Sequence, residues 1–142
     1  MSRDFRPDSR ESAVISKLDH AKENQRVNAL NLLRQHLDDL SGWIAIKLIE
    51  DRLVETTSKD ELERQIQIGL QMLLSSDEFE LQFHTANLRD IVPRPHFVSL
   101  FVTAFVVEKL IDHPAVVEIY GADEDIYKCV HKQVMRFLPM AT

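Results

Sequence analysis

The sequence predicts a mainly α, compact domain of about six to seven helices with a short two-stranded antiparallel ribbon, and three observations lead there. Glycine and proline are scarce, three and five in 142 residues, too few for the turns that a sandwich or barrel of many short strands needs. Apolar residues recur at three- and four-residue spacing along most of the chain, the period of one helix face. Two stretches 62 to 64 residues apart repeat the same order of signals: helix, extended connector, acidic cap, helix. With 44% hydrophobic and 28% charged residues, a chain of this length has the make-up of a single domain with an ordinary core.

Residues 1–10 are polar, contain Pro7 and read as a tail, with Asp8 or Ser9 placed to cap the helix after it. From Glu11, Val14, Ile15 and Leu18 begin a helical stripe that fades toward Arg26 and resumes at Val27, Leu30, Leu33, Leu37 and Leu40, which predicts a break or kink near Asn24. Ser41-Gly42 is expected to interrupt the helix, because glycine in a helix interior costs ~1 kcal/mol relative to alanine. A new helix then starts near Trp43, apolar on more than one side through Ile44, Ile46, Leu48, Ile49 and Leu53, and ends before Thr56-Thr57.

Ser58-Lys59-Asp60-Glu61 spells a capping box for a helix from about Lys59 to Leu74, with Leu62, Ile66, Leu70 and Leu73 as its stripe. Ser75-Ser76-Asp77-Glu78 repeats the signal before a short amphipathic helix whose stripe is Phe79, Phe83, Ala86 or Asn87, and Ile91. Pro93-Arg94-Pro95 forces an extended link. His96 to Ile111 then reads as a helix, with Phe97, Phe101 and Phe105 along one edge. Its β-branched Val98, Val102, Thr103, Val106 and Val107 make a buried strand the rival, and length decides for helix. Val116 to Tyr120 reads as one short strand before Gly121, and Asp123-Glu124-Asp125 open a last helix with the stripe Ile126, Val130, Val134, Phe137 and Leu138 that Pro139 ends. These signals make one domain over 11–139 and a tail at 140–142.

The repeat aligns Lys47-Leu48-Ile49-Glu50 with Lys109-Leu110-Ile111-Asp112, Val54-Glu55 with Val117-Glu118, and Asp60-Glu61 with Asp123-Glu124. It suggests two helix-connector-helix units, 43–74 and 97–138, packed about a pseudo-twofold axis, with connectors Leu53 to Thr56 and Val116 to Tyr120 paired as the ribbon. The bland reading is that these are ordinary helix endings and caps.

Composition narrows function by exclusion. Seventeen basic against 23 acidic residues give a net charge of −6, the wrong sign for general attraction to nucleic-acid phosphates. The excess lies in the second half: 59–142 hold eight basic and 13 acidic residues, against nine and ten in 1–58. Cys129 is the one cysteine, so no internal disulfide forms, and a buried thiol in a reducing, cytoplasmic setting is expected. The most apolar run, Phe97 to Val107, has 11 residues, short of the ~20 a membrane-spanning helix needs, so no membrane insertion is expected.

Six histidines invite a metal or general-base role, but none has a ligand spacing. Cys129 and His131 point about 200° apart on a helix, and Glu80/His84 and Glu108/His113 miss the Glu-x-x-His spacing of di-iron bundles. No catalytic residue, cofactor or metal is assigned. Lys128, Lys132 and Arg136, four residues apart, form a basic stripe suited to an acidic partner, or simply a solvated helix face complementing the dipole. Phe97, Phe101 and Phe105 are either core or a partner groove.

The expectation is a non-enzymatic cytoplasmic interaction protein, an adaptor, regulator or accessory subunit, binding another protein or a second copy of itself through an apolar helical face. Two alternatives stand beside it: a winged-helix-like nucleic-acid binder, and an enzyme or small-molecule binder whose groups converge without a local motif.

Overall fold

The computed structural model describes residues 24–86, 88, 96–111 and 113–138. The expected stripe from Glu11 to Leu18, the link at 93–95 and both tails lie outside them. The described chain is mainly helical, with six helices and one two-stranded antiparallel sheet. α1 covers 24–35, α2 Leu37–Glu50, β1 Val54–Thr56, α3 Lys59–Ser75, α4 Glu78–Thr85, α5 Phe97–Leu110, β2 Val116–Ile119 and α6 Asp123–Phe137.

The joint expected at Ser41-Gly42 falls five residues earlier, at His36, while the break expected near Asn24 lies at the edge of the described residues. The His36 amide is shared between the Leu32 and Leu33 carbonyls, at 3.1 and 3.2 Å, and α2 then runs unbroken through Ser41 and Gly42. Ser41 stays helical because its hydroxyl donates to the Leu37 carbonyl at 2.7 Å. Gly42 serves as a close-approach point: a Cβ there would lie 2.5 Å from Glu63 Oε1 on α3. The helix also stops earlier than its apolar pattern, at Glu50. Arg52 takes a left-handed φ of 58°, its amide bonds Ile49 and the Leu53 amide bonds Leu48, the paired bonds of a Schellman cap made without the usual glycine.

β1 and β2 pair with Val54 opposite Ile119, Glu55 opposite Glu118 and Thr56 opposite Val116, with an irregularity between Glu55 and Thr56. The ribbon predicted from the two connectors is therefore present. Thr56 donates its hydroxyl to the Ala115 carbonyl at 2.8 Å and accepts the Ser58 amide at 3.2 Å. That second bond explains why only half of the expected capping box forms at α3. Ser58 Oγ accepts from the Glu61 amide, but the amide that Glu61 was expected to receive is already taken.

α5 is helix, as its length predicted, and it is buried almost all round: from Val98 to Val106 no residue exceeds 7% exposure. α3, α4 and α6 pack against it, while α2 packs on α3 and α6. Burial on every side is what lets nine consecutive residues rich in valine and phenylalanine remain helical, since tertiary packing outweighs their modest helix propensity. α3 comes closest at Gly69, where a Cβ would sit 3.2 Å from the Phe105 carbonyl oxygen and 3.0 Å from Lys109 Cγ. α6 begins with three acidic residues and with Asp125 accepting the Ala122 amide at 3.0 Å, and it buries Ile126, Val130 and Val134 as its stripe predicts.

The two glycines give opposite expectations in urea denaturation. Gly69→Val forces a branched side chain against a backbone carbonyl and lowers stability by about 2 kcal/mol or more. Gly42→Ala meets only the flexible tip of Glu63 and raises stability by roughly 0.5–1 kcal/mol through helix propensity.

Candidate interaction surface

α4 is held at its start by a reciprocal cap: Asp77 Oδ1 accepts the Glu80 amide at 2.8 Å, and Glu80 Oε1 accepts the Asp77 amide at 3.4 Å. It is anchored to α5 by His84, whose ring lies 4.8 Å from that of Phe105 and whose Nδ1 is 3.3 Å from Glu108 Oε2. The face turned inward carries Leu81 and Thr85, continued by Leu88, at 5%, 0% and 5% exposure. Phe79 and Phe83, the expected buried stripe, face the other way at 77% and 70% exposure.

Two phenylalanines at i and i+4 lie on one side of a helix, so they form a patch rather than scattered apolar points. Fully burying such rings is worth roughly 1.5–3 kcal/mol each. Exposed Asp77 and Glu80, with Glu108 beyond His84, give this side an acidic margin.

The residues singled out in the sequence lie elsewhere. Phe101 and Phe105 are core side chains at 4% and 1% exposure, while Phe97 is half-buried, stacked on His96 and edge-on to Phe101. Those rings leave little surface for a partner. Of the basic stripe, Lys128 pairs with Glu124 at 3.3 Å and the Arg136 guanidinium sits 4.1 Å above the Trp43 ring. Only Lys132 of the three has no ion pair or ring contact among the described residues.

A polar cluster pins α5 to α6. Ser99 Oγ lies 2.7 Å from His131 Nδ1 and 3.4 Å from His96 Nδ1, the Tyr127 hydroxyl accepts the His96 amide at 2.9 Å, and the Tyr127 and His131 rings stack. Ser99 is fully buried, while His96 and His131 are partly exposed, so the serine–histidine pair spans from the core to the surface between α5 and α6. Desolvation lowers the His131 pKa. Cys129 is buried near Asp51, and burial followed by the Asp51 carboxylate pushes its thiol up to about 12. Among the described residues no group of three or more His, Cys, Asp or Glu is placed to hold a metal ion, and no helix is long and apolar enough to cross a membrane.

The exposed pair went unrecognised in the sequence because α4 carries large apolar residues on both faces, and eight residues are too few for periodicity to rank them.

Two measurements check these environments. With the His131 pKa below its ordinary value of 6.5, the unfolded chain binds the proton more readily, so stability falls as pH drops through that value and is unaffected well above it. Urea midpoints between pH 8 and 5.5 fall further in the wild type than in His131→Gln. At pH 8 the Cys129 thiol reacts with an aromatic disulfide reagent roughly a thousandfold more slowly than a free thiol and reaches the normal rate only on unfolding.

No family model, curated protein or solved structure matches this chain.

Proposed function

We propose that the protein is a non-enzymatic interaction protein, an adaptor, regulator or accessory subunit, that binds another protein through Phe79 and Phe83 on α4. One observation carries the reading: two large aromatic side chains, one turn apart, are exposed to solvent on a helix whose opposite face fills the core. A patch of this kind is where association gains most from burial. The acidic margin of Asp77, Glu80 and Glu108 and the net charge of −6 favour a partner whose apolar patch is flanked by lysine or arginine. The single cysteine with its buried, weakly acidic thiol supports a reducing, cytoplasmic setting.

The internal repeat belongs to the same proposal. α2-β1-α3 and α5-β2-α6 share an order, and their first helices are 14 residues each. Exchanging the halves maps the α2–α3 and α5–α6 contacts onto each other, and likewise α3–α5 and α2–α6. Glu55 and Glu118, equivalent at an offset of 63 in the sequence, face each other in the ribbon where a twofold axis would pass.

The test is Phe79→Ser/Phe83→Ser, combined with a photo-crosslinking residue at position 82. The double variant keeps the wild-type circular dichroism and melts within about 2 °C of it, as expected for exposed side chains, while crosslinking of the native chain to a lysine- or arginine-rich partner segment disappears. A particle of twice 16.5 kDa that the double variant abolishes makes a second copy the partner. Loss of about 2 kcal/mol or more of stability in the double variant places the rings in the fold and overturns the reading.

A further inference from the structure

The amino-terminal half of α3, the carboxyl-terminal end of α5 and the His113–Ala115 turn together line a groove of about 750 Å³. That volume lies within the range of small-molecule sites. Glu61 and Gln65 come from one side of α3, Glu108 and Lys109 from α5, and His113 from the turn.

The Glu61 and Lys109 charges here are not satisfied by one another. Glu61 is half-buried, and because the Ser58 amide bonds Thr56 instead of closing the capping box, its carboxylate is left without a hydrogen-bond or ion-pair partner among the described residues. The Gln65 amide, also half-buried, is equally unpartnered among them. Lys109 lays its stem over Gly69 and pairs with neither Glu61 nor Glu108, whose carboxylate is engaged by His84. His113 accepts the Ala115 amide at Nδ1, which puts its proton on Nε2. A free carboxylate and a free ammonium thus line the same groove without bonding each other, with a spare amide in the same lining.

We propose that this groove binds a small zwitterion of the α-amino-acid type, Glu61 taking the ligand's ammonium group and Lys109 its carboxylate. A ligand with one charge satisfies one wall and leaves the other unpaired; a compact molecule with both signs satisfies both, and Gln65 or His113 Nε2–H then meets a polar side group. The groove is open to water, which screens both ion pairs, so binding is no tighter than roughly millimolar. The groove shares Glu108 with the margin of the α4 surface, but its two ligand contacts, Glu61 and Lys109, lie outside that surface, so this site stands or falls without it.

The experiment is an amide NMR titration of the full chain with each common α-amino acid, one at a time, to about 20 mM. The proposal expects at least one amino acid to give saturable shifts at Glu61, Gln65 and Lys109. Its N-acetyl and carboxamide derivatives, each lacking one charge, bind about three- to fivefold more weakly. Glu61→Gln and Lys109→Met, which keep side-chain shape, each weaken binding by a similar factor with the rest of the spectrum in place. Absence of saturable shifts with every amino acid overturns the proposal. So does binding that survives both substitutions, or equal binding of either singly charged derivative.

Discussion

The fold depends on giving α5 cover on every side. A segment with hydrophobic side chains all round its axis cannot lie at a surface without exposing several of them, and the only arrangement that removes them from water in a domain this small is to put the helix in the middle. α3 supplies one wall, approaching closely through Gly69; α6 supplies another; α4 closes a third through Leu81, Thr85 and His84. α2 takes no large part in covering α5. It braces the two walls instead, packing on both α3 and α6, and Arg136 stacked on Trp43 extends that bracing to the end of α6.

Hydrophobic burial alone would leave α5 free to slide or rotate, and the polar groups on it oppose this. Ser99 bonds His131 across to α6, and the Tyr127 hydroxyl on α6 accepts the amide of His96, which caps α5, at 2.9 Å. Bonds of this kind contribute little net free energy when made but cost about 1–3 kcal/mol when broken inside the core, so they select one register among several that hydrophobic contact would tolerate. At the far end the Glu55–Glu118 pair does the reverse. Two like charges face one another across the ribbon, an unfavourable cross-strand pairing that Tyr120 relieves by donating its hydroxyl to Glu55 at 2.7 Å.

Much of this architecture is legible in the sequence wherever one short-range rule acts alone. The cap at Ser58, the stripe of α6 and the helical length of α5 all arise from residues within a turn or two of each other. The ribbon is legible for a different reason: two connectors with related sequences and no other partner have only each other to pair with. Gly42 misleads because a glycine that makes room for Glu63 looks, in one dimension, the same as a glycine that ends a helix. Arg52 conceals a helix end because it adopts the left-handed conformation without being glycine or asparagine. The surfaces with functional promise were the least legible. Phe79 and Phe83 resemble core residues until the opposite face of α4 is seen to be the buried one, and the groove draws its lining from positions 57 to 115, brought together only by the crossing of α3 and α5.

The central claim is that α5 is the buried axis around which the other elements are arranged, so that opening it means unfolding the molecule. Native-state amide hydrogen exchange measures this directly. The account predicts that the amides of residues 100–106 exchange only through global unfolding, with a free energy equal to that from urea denaturation, while those of α4 exchange through smaller local openings. Exchange of the α5 amides at a free energy well below the global value, with α3 and α6 still protected, would contradict it and make α5 a detachable element.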